Sequence, residues 1–332
     1  MNRSIPSGFE LLIEEIKRRG IKCPSIPKTI VFKAQHGNTI HFLSQYTLPI
    51  IPRINVSLLD NKKHFKQLLR YYHVPYVLES KTFFSDDWSE ALTYARDKLR
   101  FPVVCKPQLG CSMDRVYINI RNESELIDIW KENYAGHRNE QVIVEKYLPS
   151  VSDYRFFCFR EHQNAVLCRQ APFIIGDGFS SLVELIQNEN IHRSCQNVFL
   201  LPLQIDGPDV KRVLSHQGVL PNSIIPKSKK IFLSYGADAN RGGLCEVVDL
   251  DTIHPEYWNL VNRVWAIFPS MPYFSLDILS TDITFPLGAN CTAINESHVG
   301  ADATPLLYPS KGKPVNLFSH FVDLLFPETK GC

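Results

Sequence analysis

The fold is decided by two short stretches of the sequence, Pro102-Val103-Val104-Cys105-Lys106-Pro107 and Val142-Ile143-Val144-Glu145-Lys146-Tyr147-Leu148. Each begins with a short apolar run rich in β-branched residues, which predicts a buried β-strand. Lys106 then places an ammonium group at the end of the first strand, and Glu145 places a carboxylate at the end of the second. A lysine suits phosphate charge, and free backbone groups at a strand edge suit the hydrogen-bonding edge of adenine. The two stretches therefore predict a nucleotide site.

The composition is that of a globular protein with two or three compact units. The chain has 332 residues, of which 44% are hydrophobic and 21% charged, and this is enough to bury a substantial core. Its 36 Lys and Arg residues nearly balance its 34 Asp and Glu residues, so the overall charge gives no reason to expect nucleic-acid binding. There is no long apolar run and no signal-peptide pattern, so we expect no membrane association and a cytoplasmic location. The nine cysteines are scattered without a CxxC pair and predict neither a disulfide framework nor a zinc site.

The first part of the chain predicts a small α/β lobe over residues 1–58. Apolar residues at helical spacing predict an amphipathic helix over 8–19, and two β-rich runs over 29–33 and 39–43 predict a hairpin. Asp60 is then expected to cap a helix that ends near Val74-Pro75.

The rest of the chain predicts an α+β layout, because the strands over 154–161 and 164–170 follow each other without a helix between them. Ser181 and Glu184 have the spacing of a capping box before a further helix. The polar and proline-rich residues 192–230 predict a mobile flap over a site. Other predicted elements are helices over 86–98, 123–133, 256–268 and 315–326, and strands over 102–106, 115–120, 141–146, 230–233, 273–279 and 291–295.

The order of these motifs resembles that of ATP-grasp enzymes, most closely the ATP-grasp modules of cyanophycin synthetase and of bifunctional glutathione synthetase. The resemblance runs from about Asp60 to Phe326. It is carried by the two opening stretches and by further ordered motifs: Asn61-Lys62, Asp153-Tyr154-Arg155, Arg169 before Ala171-Pro172, Gly176-Asp177-Gly178, Asn240-Arg241-Gly242-Gly243, Leu276-Asp277-Ile278 and Tyr308-Pro309-Ser310-Lys311-Gly312.

The resemblance implies two α+β lobes that clamp ATP, over residues 59–148 and 149–332, after the N-terminal α/β lobe. It also implies an ATP- and Mg²⁺-dependent carboxylate–amine ligase. In such an enzyme a carboxylate takes the γ-phosphoryl group of ATP, and an amine displaces phosphate from the acyl phosphate to leave an amide or peptide bond. Amino acids or short peptides are the implied substrates, and a homodimer is the implied assembly.

The resemblance also implies roles for particular residues. Lys62 and Lys106 would bind phosphates, although Lys63 offers a competing register, and Ser112 would donate to phosphate from the covering loop. Adenine and the ribose would contact Glu145, Asp153 and the backbone of Lys146, Tyr147 and Leu148. Three arginines would bind the γ-phosphate, the acyl phosphate or a substrate carboxylate, because guanidinium groups bind such oxyanions bidentately; these are Arg155, Arg169 and Arg241.

The metal ligands are expected on the last two strands. Asp277 lies in an apolar strand, where a buried carboxylate needs a partner, and Mg²⁺ takes oxygen ligands. The family pattern then has a glutamate followed two residues later by an asparagine. Here Asn295 matches, but Ala293 replaces the glutamate. Glu296 fills the role if the strand is bulged, and is otherwise a surface carboxylate; Mn²⁺ is the alternative ion.

Two departures from the family pattern keep other functions open. Ala293 and the single glycine in the loop Gln108–Asp114 are consistent with a degenerate module that binds ATP in a regulatory role. Phosphoryl transfer without amide formation is a third hypothesis.

His298 is assigned a structural polar role.

Overall fold

The computed structural model describes residues 6–44, 48–109, 114–137, 139–196, 199–206, 208–237, 239–289 and 291–331. The predicted phosphate donor Ser112 lies outside the described residues. The helices are α1 (Gly8–Arg18), α2 (Arg53–Leu59), α3 (Lys62–Tyr71), α4 (Trp88–Tyr94), α5 (Glu123–Asn133), α6 (Leu182–Ser194), α7 (Pro208–His216), α8 (Pro255–Ile267), α9 (Thr304–Leu307) and α10 (Phe318–Leu325). The strands are β1 (Phe32–His36), β2 (Thr39–Leu43), β3 (Ser80–Phe84), β4 (Val103–Pro107), β5 (Tyr117–Ile120), β6 (Gln141–Lys146), β7 (Ser152–Phe159), β8 (Ala165–Gln170), β9 (Phe173–Ile175), β10 (Lys230–Phe232), β11 (Leu244–Val247), β12 (Tyr273–Ser280) and β13 (Thr292–His298).

A four-stranded antiparallel sheet contains most of residues 102–107 and 142–148, the two stretches that predict the nucleotide site. Its order is β3-β6-β4-β5, so β4 and β6 are the central neighbours, with Val104 opposite Glu145. Val103, Cys105, Val142 and Val144 face a core that α4 and α5 complete. The opposite face therefore carries Lys106 and Glu145, because side chains alternate along a strand.

A five-stranded antiparallel sheet in the order β11-β8-β7-β12-β13 forms the other half of the molecule. The face that carries Phe156, Leu276 and Ile278 belongs to the largest core. Helices α1, α3, α8 and α10 contribute to the same core, so the N-terminal residues pack on this sheet. The opposite face points toward the four-stranded sheet. The division of the chain into three lobes, over residues 1–58, 59–148 and 149–332, remains a proposal.

A third, smaller core lies under the paired strands β9 and β10 and includes residues of α6 and α7. Residues 192–230, for which the sequence analysis predicts a flap and no helix, contain α7, which docks on the four-stranded sheet. Arg212 donates from Nη2 to the Ile118 carbonyl at 2.7 Å and from Nη1 to the Asn119 carbonyl at 3.2 Å. His216 of the same helix binds Glu125 of α5. This segment therefore connects the two larger sheets.

Local capping differs from the prediction at α3. Asn61 is the N-cap, and its Oδ1 accepts from the amides of Lys63 and His64; Asp60 was the predicted cap. Asp60 Oδ1 instead accepts from the Val299 amide at 2.9 Å, so Asp60 ties the start of α3 to the end of β13. The predicted capping box of α6 is confirmed, with Ser181 and Glu184 bonded reciprocally.

Some element bounds also differ. Strand β1 begins at Phe32 rather than at residue 29, and β13 continues to His298 rather than ending at residue 295. None of the helices in the described part of the chain is long and apolar enough to cross a bilayer.

Candidate nucleotide and metal site

A buried group of charges lies on the four-stranded sheet, where Lys106 of β4 contacts Glu145 of β6. We call Lys66, Lys106 and Glu145 the lysine cluster. Lys106 Nζ lies 2.8 Å from Glu145 Oε2, and Lys66 Nζ binds Glu145 Oε1. Lys66 and Glu145 are each only 1% exposed. Both carboxylate oxygens of Glu145 are therefore occupied by ammonium groups, and Glu145 holds the lysines in place.

The charges of the lysine cluster set each other's pKa. Burial raises the pKa of Glu145, but Lys106 and Lys66 outweigh it and hold that pKa below its ordinary value. Burial lowers the pKa of Lys106, and Glu145 and Glu296 reverse the shift and raise it. For Lys66 burial prevails, and its pKa falls to about 8. Lys106 is thus kept positive at neutral pH by its carboxylate neighbours.

Helix α3 places two lysines on this site. Lys62 and Lys66 are four residues apart, so they lie on the same face of the helix. Lys62 is buried, with its Nζ 3.5 Å from Glu296 Oε2. Lys63 points elsewhere and donates to Gln141 Oε1 at 3.2 Å. Of the two competing registers, Lys62 is the lysine that the structure brings to the site.

The inner face of the five-stranded sheet carries a second group of charges. Asp277 on β12 lies opposite Arg155 on β7, and Asp153 lies opposite Arg169 on β8. Arg155 binds Asp277 bidentately, with two distances of 2.7 Å, and Arg169 Nη2 donates to Asp277 Oδ2 at 2.6 Å and to Asp153 Oδ1 at 2.7 Å. Asp277 is fully buried. Burial raises its pKa, and the two arginines overcome that effect and lower it to about 2.

A β-bulge decides which residues of β13 face Asp277. Ile278 pairs with Ile294, but Asp277 pairs with Glu296, so Asn295 is the extra residue. The bulge that the sequence analysis required for Glu296 is present. A regular ladder would place Asn295 opposite Asp277, whereas the bulge brings Glu296 to that position and His298 beside it.

We call Asp277, Glu296 and His298 the carboxylate cluster. His298 Nε2 lies 3.3 Å from Glu296 Oε1 and 3.8 Å from Asp277 Oδ2, and donor atoms of the three residues lie within 4.8 Å of one another. Glu296 Oε2 and His298 Nε2 are buried and make no hydrogen bond with the described residues. Burial raises the pKa of Glu296, but Lys62 and His298 hold it well below its ordinary value.

The donor set fits a divalent cation. Buried polar atoms are normally hydrogen-bonded, and His298 Nε2 is buried beside carboxylate oxygens of Glu296 and Asp277 without a hydrogen bond to the described residues, an arrangement that suits a cation. Carboxylate oxygens are ligands that Mg²⁺ accepts. Asn295, the third predicted ligand, accepts at Oδ1 from Lys106 Nζ at 2.9 Å, and its role as a ligand stays a prediction. Asn295 thus connects the lysine cluster to β13.

The remaining predicted residues lie around these two clusters. The backbone N–H and C=O groups of Tyr147 and Leu148 follow β6 and make no hydrogen bond with other described residues, whereas the Lys146 amide donates to the Glu79 carbonyl at 2.9 Å. Arg241 lines a cavity of about 370 Å³ together with Tyr117, Asp209 and Ser234. It precedes β11, whose Cys245 pairs with Arg169.

Sequence reasoning missed two residues of the site. Lys66 was overlooked, although its four-residue spacing from Lys62 was a usable signal. His298 was assigned a structural role, although Glu296-Ser297-His298 has the two-residue spacing of the family's glutamate and asparagine. The sequence did not show how α3 packs against the four-stranded sheet, which places Lys66. It also did not show that β13 is bulged, which places His298.

The chain is similar to known proteins over most of its length. It is 28% identical over 276 residues to the cyanophycin synthetase of Synechocystis sp., which covers 82% of this chain and 31% of that protein. It is 27% identical over 334 residues to the bifunctional glutathione biosynthesis protein of Streptococcus mutans, which covers 96% of this chain and 42% of that protein. No protein family model matches the chain.

A solved structure gives the same result for the fold. The bifunctional glutathione synthetase from Pasteurella multocida superposes with a TM-score of 0.63 at 21% identity, covering 97% of this chain and 44% of that one. The predicted resemblance and the predicted ATP-grasp fold are confirmed. The chain spans 31 to 35% of the length of the first two cyanophycin synthetases that it matches.

Proposed function

We propose that this chain with the ATP-grasp fold is an ATP- and Mg²⁺-dependent carboxylate–amine ligase. It forms an amide or peptide bond through an acyl phosphate, on amino acid or short-peptide substrates. The proposal depends on one observation. The ammonium groups of Lys62 and Lys106 lie close to the carboxylates of Asp277 and Glu296, between the two larger sheets. Cyanophycin synthetase and the bifunctional glutathione biosynthesis protein, to which the chain is similar, support the ligase class.

The electrostatics of the site favour a nucleotide. Its cations are Lys62, Lys66, Lys106, Arg155 and Arg169, and its carboxylates are Glu145, Asp153, Asp277 and Glu296. These charges nearly balance, so the attraction for an anion is local to the lysine side chains. Lys62 and Lys106 have their ammonium groups at the boundary between the sheets, where they neutralise phosphate charge. The unbonded backbone groups of Tyr147 and Leu148 are available to the edge of adenine.

Phosphoryl transfer chiefly requires positioning and charge stabilisation. A carboxylate oxygen of the first substrate attacks the γ-phosphorus of ATP, and the bond to the ADP oxygen breaks. Arg169 has a buried Nε that makes no hydrogen bond with the described residues, and this N–H stabilises the phosphoryl oxygens. Asp277 keeps Arg155 and Arg169 at their positions on the sheet. Arg241, at the neighbouring cavity, orients a substrate carboxylate.

In the second step the amine attacks the acyl carbon and inorganic phosphate leaves. Asp277 and Glu296 would hold Mg²⁺, which neutralises the phosphate oxygens when it is bound. The chain's own contribution is the fixed cradle: the bulge fixes Glu296, and Asn295 fixes Lys106. We also propose a cytoplasmic location and a homodimer for this enzyme; sedimentation of the purified chain tests the dimer.

The proposal is tested by ADP formation with pooled amino acids and short peptides, followed by mass measurement of the product. Turnover should require two substrates, and the product should equal their sum minus water. With an ¹⁸O-labelled carboxylate, one ¹⁸O should appear in the released phosphate, because the carboxylate oxygen leaves with the phosphoryl group. ADP formed without condensation would indicate simple phosphoryl transfer. Tight ATP binding without turnover in every pool would favour the regulatory module that Ala293 suggested.

A further inference from the structure

His298 stands where the pattern on β13 calls for an amide. Glu296 and His298 are two residues apart on one strand, so their side chains lie on the same face. This face also carries Asp277, which pairs with Glu296. The bulge thus shifts the two-residue pattern from positions 293 and 295 to positions 296 and 298. The shift leaves an imidazole at the second position.

The geometry around His298 Nε2 is that of a ligand atom. Its distances of 3.3 Å to Glu296 Oε1 and 3.8 Å to Asp277 Oδ2 place it in a group of donor atoms that lie within 4.8 Å of one another. The atom is buried and makes no hydrogen bond with the described residues. Its nearest charged neighbours are the carboxylate oxygens Glu296 Oε1 and Asp277 Oδ2, a setting that suits a cation.

Asn295 has another task. Its Oδ1 accepts from Lys106 Nζ, which places it at the boundary with the lysine cluster. This contact holds the amide oxygen against an ammonium group. His298 Nε2, whose nearest charged neighbours are two carboxylates, is therefore the better placed neutral donor on β13 for a cation.

We propose that His298 Nε2 binds the divalent cation together with Asp277 and Glu296, and that this mixed nitrogen and oxygen site prefers Mn²⁺ to Mg²⁺. The preference follows from ligand chemistry, since Mg²⁺ favours oxygen ligands and first-row transition metals accept imidazole readily. The inference rests on the proposed function in taking the cation as the one that accompanies ATP.

The test is pulsed electron paramagnetic resonance of Mn²⁺ bound to the full chain with ADP. Protein that contains ¹⁵N-labelled histidine should show a ¹⁵N coupling to Mn²⁺. The label separates histidine from the adenine nitrogens, which stay ¹⁴N. The His298→Asn variant should lose this coupling, whereas the variant of an exposed histidine on α3, His64→Asn, should keep it. Absence of the ¹⁵N coupling in the unmodified chain, or absence of bound Mn²⁺, overturns the inference without requiring any variant to fold.

Metal selectivity gives a second readout. The ratio of the Mg²⁺ to the Mn²⁺ dissociation constant, measured with ADP, should fall by about tenfold in His298→Asn, and an unchanged ratio would contradict the inference. The two proposals fail separately. If the ¹⁵N coupling is present but no amide forms, the metal site is supported and the ligase proposal fails. If an amide forms but the coupling is absent, the ligase proposal is supported and the metal site fails.

Discussion

The lysine cluster and the carboxylate cluster face each other across the boundary between the sheets, and they are built in different ways. The lysine cluster rests on the regular pair β4 and β6, and Glu145 binds both of its lysines. The carboxylate cluster rests on the bulged strand β13, and two of its buried atoms make no hydrogen bond with the described residues. The first cluster satisfies its own carboxylate, whereas the second leaves the imidazole nitrogen of His298 without a hydrogen bond to the described residues. Under the proposed function, the fold alone prepares the charges for phosphate, whereas the carboxylate cluster is completed by the ion.

The largest effect is expected at Asp277, which belongs to the proposed metal site and also binds two arginines. Asp277→Asn should reduce turnover by more than about 10³-fold, because it removes a metal ligand and releases Arg155 and Arg169. It should also lower the free energy of unfolding by about 3–5 kcal/mol, the cost of breaking a buried ion pair. ADP formation and denaturant unfolding measure the two losses.

The matched control for that variant is Asp251→Asn, since Asp251 is exposed. It should change neither quantity. Undiminished turnover in Asp277→Asn would remove Asp277 from the site.

The next effect tests whether the lysine cluster binds phosphate. Lys106→Met should weaken ADP binding about 10- to 100-fold, because a charge-assisted hydrogen bond contributes about 1.5–3 kcal/mol. Calorimetry with and without a divalent ion measures it. Lys63→Met is the control, since Lys63 contacts Gln141 instead of the cluster. Equal losses in the two variants would contradict the assignment of Lys106.

Glu296→Gln should act on the metal and leave the phosphate contacts in place. We expect ADP affinity without metal to stay within about twofold, and the increase in affinity caused by Mg²⁺ or Mn²⁺ to fall about tenfold, as is typical when a metal ligand is lost. The same calorimetric series measures both. A metal-dependent increase equal to that of the unmodified chain would show that the carboxylate at position 296 has not replaced the glutamate missing at Ala293.

The last effect is on stability and concerns the charge of Lys66. Burial lowers its folded-state pKa to about 8, while the unfolded value is about 10.4. Between these values the unfolded chain binds more protons, so stability rises with pH. The free energy of unfolding of the unmodified chain minus that of Lys66→Met should rise by on the order of 1–3 kcal/mol from pH 8 to 10. A flat difference would place the pKa of Lys66 at its ordinary value.

The regular cluster was also the more predictable one. Strands β4 and β6 follow from apolar runs that end in Lys106 and Glu145, and the resemblance supplied the sheet that holds them. The contacts of the buried Lys106 and Glu145 side chains did not follow, because whether Glu145 points at a ligand or at two lysines depends on how α3 packs. Lys66 was missed for the same reason.

The bulged cluster was predicted only as an alternative. The sequence Thr292–His298 suits a regular strand as well as a bulged one, since both keep Ile294 in the core. Two contacts select the bulged strand: its pairing with β12 and a backbone hydrogen bond in which the Ile294 amide donates to the Tyr76 carbonyl at 2.7 Å. Helix α7 was missed because its neighbours are polar and rich in proline, and its docking through Arg212 depends on a distant strand.

The most direct test of the account is a crystal structure with ADP and Mn²⁺, in which anomalous scattering locates the ion. We predict an anomalous peak within about 2.4 Å of the Glu296 carboxylate, with ADP phosphate oxygens in contact with Lys106. A peak elsewhere with Glu296 left unbound, or a nucleotide bound away from Lys106, would contradict the account.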